Sequence, residues 1–552
     1  MRHDHVDRRR FVASSVTAAL AAAVGTAGTP SDAFAEASAH DAASALPQGP
    51  PFPYAELGVA EVQSRMKSGA LSSRALAAAY LARIASVDAA GPTLRSVIET
   101  NPDALRIAEA LDRERRAGKV RGPLHGIPVL IKDNIDTADR MQTTAGSLAL
   151  VGTPAPRDAF IVEQLRTAGA VILGKTNLSE WANFRSTRST SGWSGRGGQT
   201  RNPYVLDRNP CGSSAGTGSA ISANFATVGI GTETDGSIIC PSSICGLVGI
   251  KPTIGLVSRS GIIPISVTQD TAGPMTRTVA DAAAVLSAIV GTDPRDGSTT
   301  RRSNAAPANY LGALDRTALQ GARIGVARNM AGFHPLVDAV FEQAIEALRK
   351  AGAVVVDNAD VPTVNKTDEA ETEILLYEFK EGINEYLSSR GNTIRVRTLA
   401  GLIAFNAEHA SQEMPWFGQE QFEKAQAKGS LSDKVYRDAL ELCRRLSRDE
   451  GIDAVLTSHR VDAIVAPSNG PSWPTDLVNG DRYTGGNSSV AAVAGYPSIT
   501  VPMGFVGPLP VGMSFIGGAF TEPRLIGLAY AFEQATKARR APRFLATAAY
   551  SR

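Results

Sequence analysis

Asn209-Pro-Cys-Gly-Ser-Ser-Ala-Gly-Thr-Gly-Ser-Ala220 and the later run Gly231-Thr-Glu-Thr-Asp-Gly-Ser-Ile-Ile-Cys-Pro241 decide how this chain is read. Each places serine, Ser213 and Ser214 in the first and Ser237 in the second, among glycines and other small residues. With no bulky side chain in the way, backbone N–H groups can approach a ligand closely, as a site that stabilises an oxyanion requires. A third element lies upstream. Gly126-Ile-Pro-Val-Leu-Ile-Lys-Asp-Asn134 ends an apolar run on Lys132, where apolar neighbours would desolvate the ammonium and favour the neutral amine.

Other chemistries fit these residues less well. A phosphate loop needs Lys after its last glycine, but Ser219 follows Gly218. A dinucleotide fingerprint fails at Ile221, where its third glycine belongs. Gly212-Ser-Ser-Ala-Gly216 matches the Gly-x-Ser-x-Gly elbow, which would make Ser214 the nucleophile. That elbow must follow a buried strand, and Asn202-Pro-Tyr-Val-Leu-Asp-Arg-Asn-Pro210 is prolyl and charged. Ser64-Arg-Met-Lys67 is a literal Ser-x-x-Lys, yet it lies on polar positions of an amphipathic helix and lacks the Ser-Asp-Asn partner. His125 reads as a hydrogen-bonded structural histidine, with general base as its alternative role. If it is not the base, a serine enzyme needs another amine, and Lys132 is the candidate.

The wider chain suits an α/β layered domain. Ser72 caps a helix in which Leu76, Tyr80 and Ile84 recur every four residues, and Asn101-Pro-Asp103 opens another that runs out at Gly118. Short apolar runs at 127–131, 170–173, 227–231, 463–467, 498–503 and 511–516 read as strands, so the sheet draws on both ends of the chain. Residues 291–322 read as a long surface excursion, and 366–450 as mainly helical. Of 552 residues 43% are hydrophobic and 20% charged, and the net charge is +2, which gives no electrostatic reason to expect nucleic acid or an anionic membrane as partner.

Asp7-Arg-Arg-Arg-Phe-Val12, an Ala-rich apolar stretch from Val16 to Gly28, and Ala33-Phe-Ala35 before Glu36 fit a twin-arginine export signal over residues 1–35. Residues 36–52, with Pro47, Pro50 and Pro51, read as an extended lead-in, and 53–545 as the folded domain. The expected location is periplasmic or extracellular. Cys211, Cys240, Cys245 and Cys443 are too few for a disulfide scaffold. Cys240 and Cys245 could pair or bind metal, but without a nearby His pair the expectation is buried thiols and no metal site.

Taken together, Gly126–Asn134, Gly212–Gly216, Gly231–Ser237, Gly246-Leu-Val-Gly-Ile-Lys-Pro-Thr253 and Gly495-Tyr-Pro-Ser-Ile-Thr-Val-Pro502 resemble the amidase signature family, in that family's order. The resemblance covers roughly residues 53–540. Within it, Glu-Thr-Asp-Gly-Ser, Ser258-Arg-Ser-Gly-Ile-Ile-Pro264 and Gln269-Asp-Thr-Ala-Gly-Pro274 look most like the peptide amidases of bacteria. It implies a single α/β domain, a mixed central sheet covered by helices on both faces, and a Ser/cis-Ser/Lys triad. Ser237 is then the nucleophile, Ser213 the bridging serine in a cis peptide bond and Lys132 the base, with the backbone N–H groups of Thr234, Asp235, Gly236 and Ser237 as the oxyanion hole. Ser237 lies 24 residues after Ser213, the separation this assignment expects.

Where many members have an arginine, this chain has Ile239, which removes a clamp for acidic substrates. Ala215 and Thr217 also replace common glycine or serine. Ser214, Ile239, Trp181, Phe184 and Trp416 are the expected substrate contacts. The implied enzyme is a cofactor-independent monomer that deamidates C-terminal peptide amides. A broad aliphatic or aryl-amide amidase, and one component of an amidotransferase that modifies charged tRNA, are its alternatives.

Overall fold

Pro128-Val-Leu-Ile-Lys132 is buried at every position, the pattern of a strand covered on both faces. The computed structural model describes residues 52–301, 309–391 and 394–549. The expected signal and all of the lead-in except Phe52 lie outside the described residues.

In chain order the strands are β1 (Val97–Thr100), β2 (Pro128–Lys132), β3 (Val171–Thr176), the short β4 (Trp193–Ser194) and β5 (Gly198–Gln199), β6 (Val228–Glu233) and β7 (Val248–Lys251). β8 (Thr271–Thr276), β9 (Arg323–Val326), β10 (Val354–Val356), β11 (Ala463–Pro467), β12 (Ser498–Val506) and β13 (Leu509–Ile516) follow. β4 pairs with β5, and the other strands form one mixed 11-stranded sheet in the order β1-β3-β2-β6-β8-β7-β12-β13-β11-β9-β10. β3, β2 and β6 run parallel, and so do β11, β9 and β10. Helices flank the sheet to complete the expected single α/β domain, among them Pro335–Lys350 and Glu522–Thr536 against β12.

Local signals set the boundaries. The Ser72 hydroxyl accepts the Ala75 N–H at 3.0 Å and caps the helix Ser73–Arg83, and the helix Ala104–Arg116 begins after Asp103. Ser64 and Lys67 are exposed on the helix Val59–Lys67, away from any cleft chemistry.

β7 and β8 escape a sequence reading because glycine and proline interrupt them, Pro274 standing opposite Ile230 inside the sheet. The first part of the surface excursion expected at 291–322 is tied down. Asp293 accepts a hydrogen bond from the buried Ser258 hydroxyl at 2.7 Å, and Asp296 pairs with Arg259 at 2.6 Å, which docks this segment onto the domain.

Two apolar cores matter for the site. The main one lines the sheet. The second joins Trp181 and Phe184 to the helices Asp368–Ser389 and Glu420–Gln426, with Phe379 stacked on Phe422 at 5.0 Å between ring centres. No described helix is long and apolar enough to cross a membrane.

Candidate active site

Because β2 and β6 are parallel neighbours, with Ile131 opposite Ile230, their C-terminal ends emerge together at one edge of the sheet. Lys132 ends the first and Glu233 the second. Lys132 is fully buried, and its Nζ lies 2.7 Å from Ser213 Oγ, 2.9 Å from Thr232 Oγ1 and 3.2 Å from the Thr232 carbonyl oxygen. Asn134 donates to the same Thr232 hydroxyl at 3.0 Å.

Ser213 is held in place from both sides. The Gly212–Ser213 peptide bond is cis, and the Ser213 carbonyl accepts the Ser179 N–H at 3.0 Å. The Ser214 hydroxyl donates to the Thr232 carbonyl at 3.0 Å and accepts the Thr232 N–H at 3.2 Å, while the Ser214 N–H donates to the Ser237 carbonyl at 3.2 Å. One residue thus staples the serine loop to both ends of segment 232–237, so Ser214 is occupied by structure and does not offer the substrate contact expected of it.

Segment 234–237 is a tight turn between β6 and the short helix Ile239–Ile244. The Glu233 carboxylate folds back over it and accepts the N–H groups of Ile238 and Ile239 at 2.7 and 2.9 Å. Gly236 has φ +77°, and a Cβ there would stand 2.8 Å from the Ser488 hydroxyl, so no other residue fits without strain. The Ser489 hydroxyl donates to Asp235 at 2.5 Å. Among the described residues, the N–H groups of Thr234, Asp235, Gly236 and Ser237 make no hydrogen bond. The turn that ends on Ser237 thus carries four unspent donors, the kind of group an oxyanion needs.

Burial drives the Lys132 pKa down to about 7, against the pull of the Asp270 and Glu233 carboxylates. Burial also raises Asp270 to about 6, although the Thr234 hydroxyl and two amides stabilise its charged form. His125 is buried with its Nε2 3.0 Å from the Leu111 carbonyl, and burial lowers its pKa. It lies in the loop before β2 and takes no part in the hydrogen bonds of Lys132 or the serines. Among the described residues no three His, Cys, Asp or Glu side chains converge as metal ligands.

The cysteines depart from expectation. Cys211 and Cys240 form a disulfide, and only Cys245 and Cys443 are buried thiols, each pushed up to about 12 by burial. The bridge joins the residue two before Ser213 to the residue three after Ser237, a proximity that exists only once the two loops are packed together.

A cavity of about 510 Å³ opens beside the site, lined in part by Asn134, Thr232, Thr234, Ile263, Asp270 and Tyr386. None of the expected substrate contacts lines it. Trp181 packs on Phe422 at 5.9 Å and Phe184 on Phe379 at 5.0 Å, so both belong to the second core, whose helices come from far along the chain. Ile239 is buried with its N–H spent on Glu233, and Trp416 is 44% exposed. Sequence reasoning missed Thr232, Glu233 and Asp270. All three sit inside the quoted motifs, but only three-dimensional register reveals what they hold.

The Amidase family model matches residues 75–526. The native peptide amidase of Stenotrophomonas maltophilia is 55% identical, and its structure agrees with a TM-score of 0.85, covering 90% of this chain and 100% of that one. A protein of Arabidopsis thaliana named a "probable amidase" is 44% identical over 504 residues, 90% of this chain and 93% of that protein. A glutamyl-tRNA(Gln) amidotransferase subunit of Symbiobacterium thermophilum is 34% identical over 499 residues, 87% of this chain and 97% of that relative.

The disulfide closes a loop with a sequence separation of 29. Replacing both Cys211 and Cys240 with serine is expected to lower stability by about 3 to 4 kcal/mol, read as the denaturant midpoint. An unchanged midpoint would mean the bridge contributes nothing.

Proposed function

The chain belongs to the amidase family and hydrolyses amides; from that premise we propose that it is an exported serine hydrolase releasing ammonia from the C-terminal carboxamides of short peptides. The observation that carries the mechanism is the buried Lys132 amine 2.7 Å from Ser213 Oγ, with the Ser237 backbone stapled alongside.

When Nζ is neutral, its two N–H bonds serve the two Thr232 oxygens and its lone pair faces the Ser213 hydroxyl. Ser213 gives its proton to Lys132 as it takes the Ser237 proton, and Ser237 Oγ bonds to the amide carbon. The amides of 234–237 receive the oxyanion, an effect worth roughly 3 kcal/mol per donor. As the C–N bond breaks, the proton returns from Lys132 through Ser213 to the nitrogen, which leaves as ammonia. Water then gives a proton to the same relay as its oxygen bonds to the acyl carbon; the bond from that carbon to Ser237 Oγ breaks, the proton returns through Ser213 to Ser237, and the acid leaves.

Peptide carboxamides as substrates are supported by the 55% identity to a peptide amidase across 90% of the chain. Ile239 agrees with this reading, since it offers no cation to the acyl side. Every group of the relay comes from one chain, which supports a monomer as the working unit. The Cys211–Cys240 bridge supports an oxidising destination and so favours export. The tRNA-linked reading draws on the 34% identity to an amidotransferase subunit, but the near-zero net charge gives no electrostatic reason to expect tRNA.

The purified chain, alone, should release ammonia from a blocked dipeptide amide faster than it cleaves the matching anilide; a preference for the anilide favours the broad amidase, and activity only with added partners favours the amidotransferase. Lys132→Ala and Ser237→Ala should abolish turnover, whereas Ser213→Ala should leave a measurable remnant. Because Lys132 must be unprotonated, kcat/KM should fall about tenfold per pH unit below about pH 7; a rate that is flat down to pH 4 contradicts lysine as base. Replacing Arg8 and Arg9 with lysine should leave active enzyme in the cytoplasmic fraction, and unchanged export would refute the twin-arginine route.

A further inference from the structure

Asp270 makes three side-chain hydrogen bonds in this region and has no role in the relay. It stands just before β8, and the antiparallel register that sets Glu233 opposite Thr271 brings it across from Thr234. Its Oδ1 accepts the Thr234 hydroxyl at 2.6 Å, and its Oδ2 accepts the N–H groups of Ile265 and Ser266 at 2.8 and 2.9 Å. Its neighbour Gln269 reaches the Thr234 carbonyl at 3.5 Å from an amide that also donates to Glu371 at 2.7 Å. Thr234 is therefore gripped at its side chain and its carbonyl, which leaves its N–H as the free group. Asp270 is half-buried and lines the 510 Å³ cavity.

We propose that Asp270 is a positioning residue for amide hydrolysis: it fixes the first N–H of the oxyanion turn through the Thr234 hydroxyl, and its carboxylate bears on the Lys132 amine. The inference rests on the reading of Lys132, Ser213 and Ser237 as the relay.

The electrostatic half follows from the neighbours. Lys132 bonds the Ser213 hydroxyl and both Thr232 oxygens, Thr232 lies two residues before the Thr234 that bonds Asp270, and the Asp270 and Glu233 carboxylates both pull the Lys132 pKa up against burial. Around Asp270, the charge of Arg259 is taken up by Asp296, and Glu378 from the helix Asp368–Ser389 is engaged by Ser266, Thr268 and Tyr436. Arg259 still lowers the Asp270 pKa, so it offsets the effect of Asp270 on Lys132 only in part. Removing the carboxylate makes the ammonium less stable, so the neutral amine persists to lower pH. Asp270 itself takes up a proton at about pH 6, so the contrast is greatest above that value.

The test compares wild type, Asp270→Asn and Thr234→Val in two readouts: kcat and KM on an amide that wild type turns over, and the rate at which a fluorophosphonate labels Ser237 between pH 5.5 and 9, roughly spanning the Lys132 titration. Asp270→Asn should lower kcat by about tenfold or more with little change in KM, and should move the acid limb of labelling to lower pH. Thr234→Val keeps the charge and loses only the hydroxyl, so it should lower kcat several-fold while the acid limb stays in place. A folded Asp270→Asn enzyme with an unmoved acid limb overturns the electrostatic role, and undiminished kcat in Thr234→Val overturns the positioning role even if Asp270→Asn fails to fold. Wild type that labels and turns over while both variants match it defeats this proposal alone, whereas wild type that does not label at Ser237 defeats the relay and this proposal with it.

Discussion

An amine that is sealed from water and hydrogen-bonded to three neutral oxygens is expensive to keep charged. Lys132 is in that position, and much of the surrounding architecture follows from it. Thr232 supplies two of those oxygens and Ser213 the third. Thr232 is itself held by Ser214, and Ser214 by its place in the loop that carries Ser213 and bonds to Ser237. The contacts that solvate the lysine are thus the same ones that set the distances between the serines. Parallel pairing of β2 and β6 is what allows this, since an antiparallel pair would send Lys132 and Thr232 to opposite edges of the sheet.

The turn that follows β6 is shaped by a different device. Glu233 spends one carboxylate oxygen on two amides just beyond Ser237, and Asp270 and Asp235 hold hydroxyls on either side. Acidic side chains thus occupy the neighbouring partners while the amides of 234–237 stay unpaired. One buried and two half-buried carboxylates near a turn proposed to receive negative charge would be self-defeating if they pointed inward. The hydrogen bonds of Glu233, Asp235 and Asp270 instead run to helix amides, to Ser489, and to Thr234 with the 265–266 amides, away from the unpaired N–H groups.

Much of this is legible in the sequence because it is local. Buried strands such as 463–467 announce themselves as short apolar runs, Ser72 announces a cap, and the glycine-rich loops announce close backbone approach. Lys132 stands out as a charge closing an apolar run. What stays hidden depends on register between distant segments. The link between Asp270 and Thr234 exists only because β8 pairs with β6, and β8 is disguised by Gly273 and Pro274. The Cys211–Cys240 pair is hidden in the same way. Trp181 and Phe184 pass for substrate contacts in the sequence because the residues that bury them, Phe379 and Phe422, arrive some two hundred positions later.

The sheet has an uneven division of labour. Lys132, Ser213 and Ser237 all belong to the half built from β1, β3, β2, β6, β8 and β7, and the strands β12, β13, β11, β9 and β10 carry none of them. Residues of the helix Asp368–Ser389, among them Glu378 and Tyr386, reach across to the cavity wall from the later part of the chain. Selection can therefore rewrite that later part, and with it which molecules are admitted, while the reacting atoms remain untouched. A scaffold split in this way can diversify its clientele without relearning its chemistry.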